Sequence, residues 1–221
     1  MTCRLVLPAV LTSCALAASC AAPADQPSSA SSNASAATTS TTGVSATDRL
    51  APFAMPDLSP LSEPVREQLG DQHRAFSRAI SNPATSETER AEAYGRLGAL
   101  LLAATFSEAA ETCYLHAQAL VPGEVRWPYS LGHVYLVKGD RPKAARSFER
   151  ALALRPTDLT ALVWLGETYL DEGRPDAAEP VFQKALGVAP GSASALFGAG
   201  RAALARRAYP DAVQYLERAL A

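Results

Sequence analysis

The chain has 221 residues, 20 Lys+Arg against 22 Asp+Glu, 48% apolar and 7% aromatic residues, a composition that suits ordinary folded cores. A net charge of −2, with no clustered basic run, excludes a nucleic-acid binder that works by phosphate neutralisation. Beyond the first 20 residues no apolar run reaches the roughly 20 residues a membrane-crossing helix needs, so membrane attachment is expected only through the N-terminus.

Residues 1–20 read MTCRLVLPAVLTSCALAASC, with Arg4, an apolar stretch from Leu5 to Leu16 and then small residues. That order marks a secretory leader. A buried N-terminal helix fits less well, because Pro8 and Thr12-Ser13-Cys14 interrupt the stretch. Ala17-Ala18-Ser19-Cys20 resembles a bacterial lipobox, which implies lipidation of Cys20. Leu11-Thr12-Ser13-Cys14, with Cys14 as the modified residue, and ordinary cleavage after Ala22-Pro23-Ala24 are the alternatives. Three of the four cysteines lie in this leader, leaving Cys113 without an intradomain partner after processing. No Cys/His set has zinc-ligand spacing, so no metal is expected.

Residues 21–56 are built from Ala, Ser, Thr and Pro with few charges, and are expected to form a disordered tether. As a flexible coil it would reach roughly 30–36 Å. Residues 57–90 follow as a capping helix and linker. A helix is predicted from about Ser62 to Ile80, with Val65, Leu69, Phe76 and Ile80 on one stripe, ending before Asn82-Pro83. Ser86-Glu87-Thr88-Glu89 is a capping box that starts the next helix.

From residue 91 the sequence repeats itself. Glycines recur at 98, 132, 166 and 200, leucines at 102, 136, 170 and 204, and alanines at 110, 144, 178 and 212 and again at 117, 151, 185 and 219, always 34 apart. Tyr114, Phe148, Phe182 and Leu216 keep the same phase, and Pro122, Pro156 and Pro190 close three units. Small residues where two helix backbones approach, large ones in the remaining volume and a proline ending the second helix make each unit a helix-turn-helix. The turns Gly139-Asp140-Arg141-Pro142 and Gly173-Arg174-Pro175-Asp176 place Gly after one helix and Pro at the start of the next.

These positions resemble the tetratricopeptide repeat, W-x2-L-G-x2-Y followed by A-x3-F, A and P. Leu131-Gly132, Tyr135, Ala144, Phe148, Ala151 and Pro156 match in one unit, and Leu165-Gly166, Tyr169, Ala178, Phe182, Ala185 and Pro190 in the next. The first unit substitutes Leu101 and Tyr114, the fourth Ala199 and Ala203, and Trp127 stands one place before the aromatic slot, which Pro128 occupies. The resemblance implies an all-α fold: a right-handed α-solenoid of four repeats, 91–124, 125–158, 159–192 and 193–221, behind an N-terminal capping helix. The sequence stops within the second helix of the fourth unit, whose apolar face would lie open, as in a fragment of a longer array or a self-associating end.

No constellation for catalysis emerges. His73, His116 and His133 fall in separate helices, with no nucleophile elbow, phosphate loop or zinc motif, and Cys113 reads as a buried thiol. Neither enzyme activity nor a cofactor is expected. In the family, first-helix positions 2, 5, 9, 12 and 13 line a concave groove that receives a peptide or partner helix. In phase, these include Gly95 in the first unit and, as candidate contacts, Arg126, Tyr129, His133, Val163, Glu167, Phe197 and Arg201. The leucine row 102, 136, 170 and 204 is expected to pack between first helices. With only two arginines flanking Glu167, the groove is a poor copy of the family's carboxylate clamps. The resemblance extends to exported bacterial lipoproteins of this repeat class. It implies a protein-binding adaptor or scaffold in the cell envelope, in the periplasm or on the outer membrane. Self-association, or service as the recruiting arm of a longer enzyme, are the alternatives.

Overall fold

The computed structural model describes residues 50–221. The leader with Cys20 and Cys14, and the tether as far as residue 49, lie outside them. Among the described residues there are nine α-helices and no strand: α1 (Glu63–Ser81), α2 (Glu87–Ala103), α3 (Ser107–Leu120), α4 (Arg126–Val137), α5 (Arg141–Leu154), α6 (Leu159–Asp171), α7 (Pro175–Val188), α8 (Ala193–Ala205) and α9 (Tyr209–Leu220). Helices α2 to α9 form four consecutive hairpins, and each second helix but the last packs on the first helix of the following pair.

Helix starts follow local chemistry. Ser86 accepts from the Glu89 amide at 3.2 Å while the Glu89 carboxylate accepts from the Ser86 amide at 2.9 Å, so both halves of the capping box form on α2. Asp158 and Ser192 cap α6 and α8 through the amides of Ala161 and Ala195, at 3.0 and 3.3 Å.

The turn inside each hairpin carries a stricter demand. Position 15 of every repeat has a positive φ: Thr105 at 69°, Gly139 at 75°, Gly173 at 70° and Arg207 at 64°. The following amide reaches back to a carbonyl five residues earlier, as in Phe106 to Leu101 and Arg174 to Tyr169, both 2.9 Å. This is a Schellman closure, which favours glycine because a Cβ crowds the left-handed conformation. Two repeats hold the same geometry with Thr105 and Arg207, so the backbone period is stricter than the glycine period seen in the sequence.

The core is built on the aromatic position of each second helix. Phe148 and Phe182 are fully buried. A Cβ added at Gly132 would lie 2.5 Å from Cε1 of Phe148, and one at Gly166 2.5 Å from Cζ of Phe182. A Cβ on Gly198, in the next repeat, would overlap the Phe182 ring from the other side. Phe182 therefore sits against α6 and α8 at once and joins two repeats.

The N-terminal end departs from expectation in two respects. In α1, Leu69 and Phe76 are buried but Val65 is exposed, so the apolar stripe is shorter than predicted. The tether was expected to run to residue 56, yet residues 50–56 are part of the packed structure. Phe53 and Met55 lie against the core, Phe53 meets the Phe76 ring edge-on at 5.3 Å, and His116 Nε2 donates to the carbonyl of Ala51 at 2.9 Å. Phe53, Met55, Leu58 and Leu61 supply the apolar surface that the Ser/Thr/Ala tract before them lacks.

Candidate functional site

The first helices α2, α4, α6 and α8 stand in a row, and the residues singled out in the sequence mostly bridge them. Arg126 on α4 reaches Glu92 on α2, one repeat back, pairs with Glu124 at 3.1 Å, and lies over the Trp127 ring at 4.8 Å. These carboxylates hold its guanidinium in the charged form, raising its pKa further. Arg201 on α8 pairs with Glu167 on α6, again one repeat back, and approaches Asp171 at 3.8 Å. Both arginines expected to orient a ligand are thus neutralised along the row.

Between α4 and α6 the bridge is aromatic. His133 meets Trp164 at 4.7 Å, Tyr129 at 4.7 Å and Phe148 at 5.4 Å, in each case edge to face. Burial lowers the His133 pKa from 6.5, which favours the neutral ring. Burial also raises the Tyr129 pKa, with a smaller contribution from Asp158. Trp164 was not singled out in the sequence. It occupies position 6, one past the groove position held by Val163, and leans back onto α4, a direction that pattern alone does not reveal.

The N-terminal part of the row is closed. Gly95, expected to line the groove, is buried under the Trp127 ring, whose atoms would overlap any Cβ there. The indole displaced from the aromatic slot thus fills the adjacent groove position. The leucine row is half-buried at 102, 136 and 170, but Leu204 is 52% exposed. What remains open is apolar: Phe197 at 52% exposure, Trp164 at 38% and Val137 at 64%, beside the half-buried Tyr129 and Val163. A cavity of about 210 Å³ adjoins Tyr129 between Arg126, Arg155, Asp158 and Thr160.

Among the described residues no three His, Cys, Asp or Glu side chains gather as a metal site would require. His73 and His116 lie away from this row: His73 near Phe53 and Phe76, His116 stacked on Tyr94 at 4.8 Å.

The family model for the tetratricopeptide repeat matches residues 129–193 and 167–221. Residues 129–221 are tetratricopeptide repeats. The first hairpin, α2 and α3, precedes both matched spans and has the same turn. No curated protein matches the sequence. Solved structures share the fold. A crystal structure of MamA superposes with a TM-score of 0.61 at 22% identity, covering 76% of this chain and 95% of that one. YrrB, a tetratricopeptide repeat protein with an unusual peptide-binding site, gives 0.58 at 21%, covering 71% and 80%. A tetratricopeptide repeat protein from Parabacteroides merdae gives 0.63 at 18%, covering 71% and 59%. Such arrays are protein-interaction scaffolds whose repeats build extended binding surfaces.

Proposed function

We propose that the protein is an adaptor or assembly scaffold of the bacterial cell envelope, which recognises an apolar peptide segment or partner helix on the face lined by α4, α6 and α8. The observation that carries this reading is the exposed Trp164, Phe197 and Val137 on a face whose arginines are already paired with carboxylates. Exposed aromatic side chains beside satisfied charges suit a ligand held by buried apolar area rather than by ionic contacts. The peptide-binding site of YrrB supports the same use of the fold. The envelope assignment rests on the leader-like first 20 residues and the lipobox-like Ala17–Cys20, with lipidation at Cys20 proposed as the anchor.

The experiment is a cross-linking pull-down from native envelopes with wild type and a Tyr129→Ala/Trp164→Ala/Phe197→Ala variant of verified helicity. A protein captured by wild type and lost by the variant supports the reading; equal capture by both refutes it. Globomycin sensitivity and palmitate labelling of wild type against Cys20→Ala test the anchor. Unchanged labelling in the variant excludes Cys20.

One observation favours a second reading, self-association. Leu220 is 90% exposed, whereas Leu186, one repeat earlier, is buried. Tyr209 and Val213 extend the open surface of α9. Sedimentation velocity across a hundredfold concentration range separates the readings, since a monomer throughout removes the second.

A further inference from the structure

A further cavity lies away from the first-helix row. It measures about 410 Å³ and opens where residues 50–53 cross α1, α2 and α3. Pockets of about 300–1,000 Å³ hold small organic ligands. Its walls are mixed: Phe53, Phe76, Ile80 and Leu120 supply an apolar part, and Tyr94, His116 and a single guanidinium, that of Arg90, a polar part.

Arg90 is the unusual member. Its Nη2 donates to the carbonyl of Asn82 at 3.2 Å, while its Nε is buried without a hydrogen-bond partner. Among the described residues no carboxylate is paired with it, unlike Arg126, Arg201 and Arg206. A half-buried guanidinium with no carboxylate partner can take an anion through its remaining Nη–H groups, as a charge-assisted pair. Of the other ionisable wall groups, His116 is engaged, because it donates Nε2–H to Ala51 and stacks on Tyr94. The side chains of Phe53, Phe76, Ile80 and Leu120 offer hydrocarbon surface in the same cavity.

We propose that this cavity is a binding site for an apolar monocarboxylate, with the carboxylate on Arg90 and the hydrocarbon body against Phe53, Phe76, Ile80 and Leu120. The site is independent of the peptide-binding reading. It is formed partly by the extended segment 50–53, so occupancy also fastens that segment to α1 and α3.

Isothermal titration of the full chain with decanoate, decanol and N-acetyl-Leu-Phe tests it. Saturable decanoate binding is expected. Arg90→Gln should weaken it tenfold or more, the loss expected for a charge-assisted pair, while decanol binding stays unchanged and shows the cavity intact. Arg90→Lys should retain part of the affinity, and Leu120→Trp, which fills the cavity, should abolish both. Tighter binding of N-acetyl-Leu-Phe than of decanoate would assign the carboxylate to a polypeptide C-terminus; the reverse order would assign it to a free acid. Absence of saturable binding by either carboxylate, or equal decanoate affinity in wild type and Arg90→Gln, overturns the proposal.

Discussion

Phe182 makes a test of repeat coupling that separates packing from helix propensity. Its ring is fully buried between α6, α7 and α8, pressed on Gly166 from one repeat and Gly198 from the next. Phe182→Ala removes that ring and should cost about 3–5 kcal/mol. Gly198→Ala in wild type adds a methyl where the ring already stands. The overpacking costs about 1–3 kcal/mol, offset by about 1 kcal/mol of helix propensity, for a net loss of about 0–2 kcal/mol. In the Phe182→Ala background the ring is gone, the propensity gain remains, and the same Gly198→Ala should stabilise by about 1 kcal/mol. The sign therefore reverses between backgrounds, a coupling of roughly 1–3 kcal/mol. Urea unfolding of the four proteins by far-ultraviolet circular dichroism measures it. Effects of Gly198→Ala that agree in the two backgrounds within about 0.5 kcal/mol would refute the view that Phe182 fills the space both glycines leave.

Thr105 holds the left-handed turn position at φ 69°, so Thr105→Gly should stabilise by about 1 kcal/mol, raising Tm by roughly 2–4 °C; a lower Tm would contradict it. His133 has a pKa lowered by burial from 6.5, so the unfolded chain binds its proton first and stability falls as pH drops below about 6.5. His133→Phe should therefore lose less thermal stability between pH 7.5 and pH 5 than wild type, and an equal or larger loss would show that burial of this ring is not the cause. Cys113 is fully buried, and desolvation pushes its thiol up to about 12. At pH 8 its reaction with a disulfide reagent should be roughly a thousandfold slower in the folded protein than in urea, and comparable rates would refute its burial.

The 34-residue period shows how far the sequence alone reaches. Recurrent Gly, Ala and aromatic positions set the helix pairs, because a helix-turn-helix whose backbones must approach admits only small side chains at the crossing. The same period located the groove positions, and the capping box located the start of α2. Local chemistry also ended the helices, but only two of the four left-handed turn residues are glycine. At Thr105 and Arg207 the surrounding hairpin imposes the turn on residues that do not favour it.

The tertiary structure decided what the groove residues do. Phase put Arg126, Glu167 and Arg201 on one face, but only the spacing of neighbouring first helices paired Arg126 with Glu92 and Arg201 with Glu167 across successive repeats. Trp127 closed over Gly95, and Trp164 came to rest on His133, because large rings fill whatever volume an adjacent helix leaves. Residues 50–56 joined the fold for the same reason, as Phe53 and Met55 found apolar surface on helices that begin later in the chain. Periodicity is local and survives in one dimension. Pairing and filling depend on distances between repeats, which a single sequence does not contain.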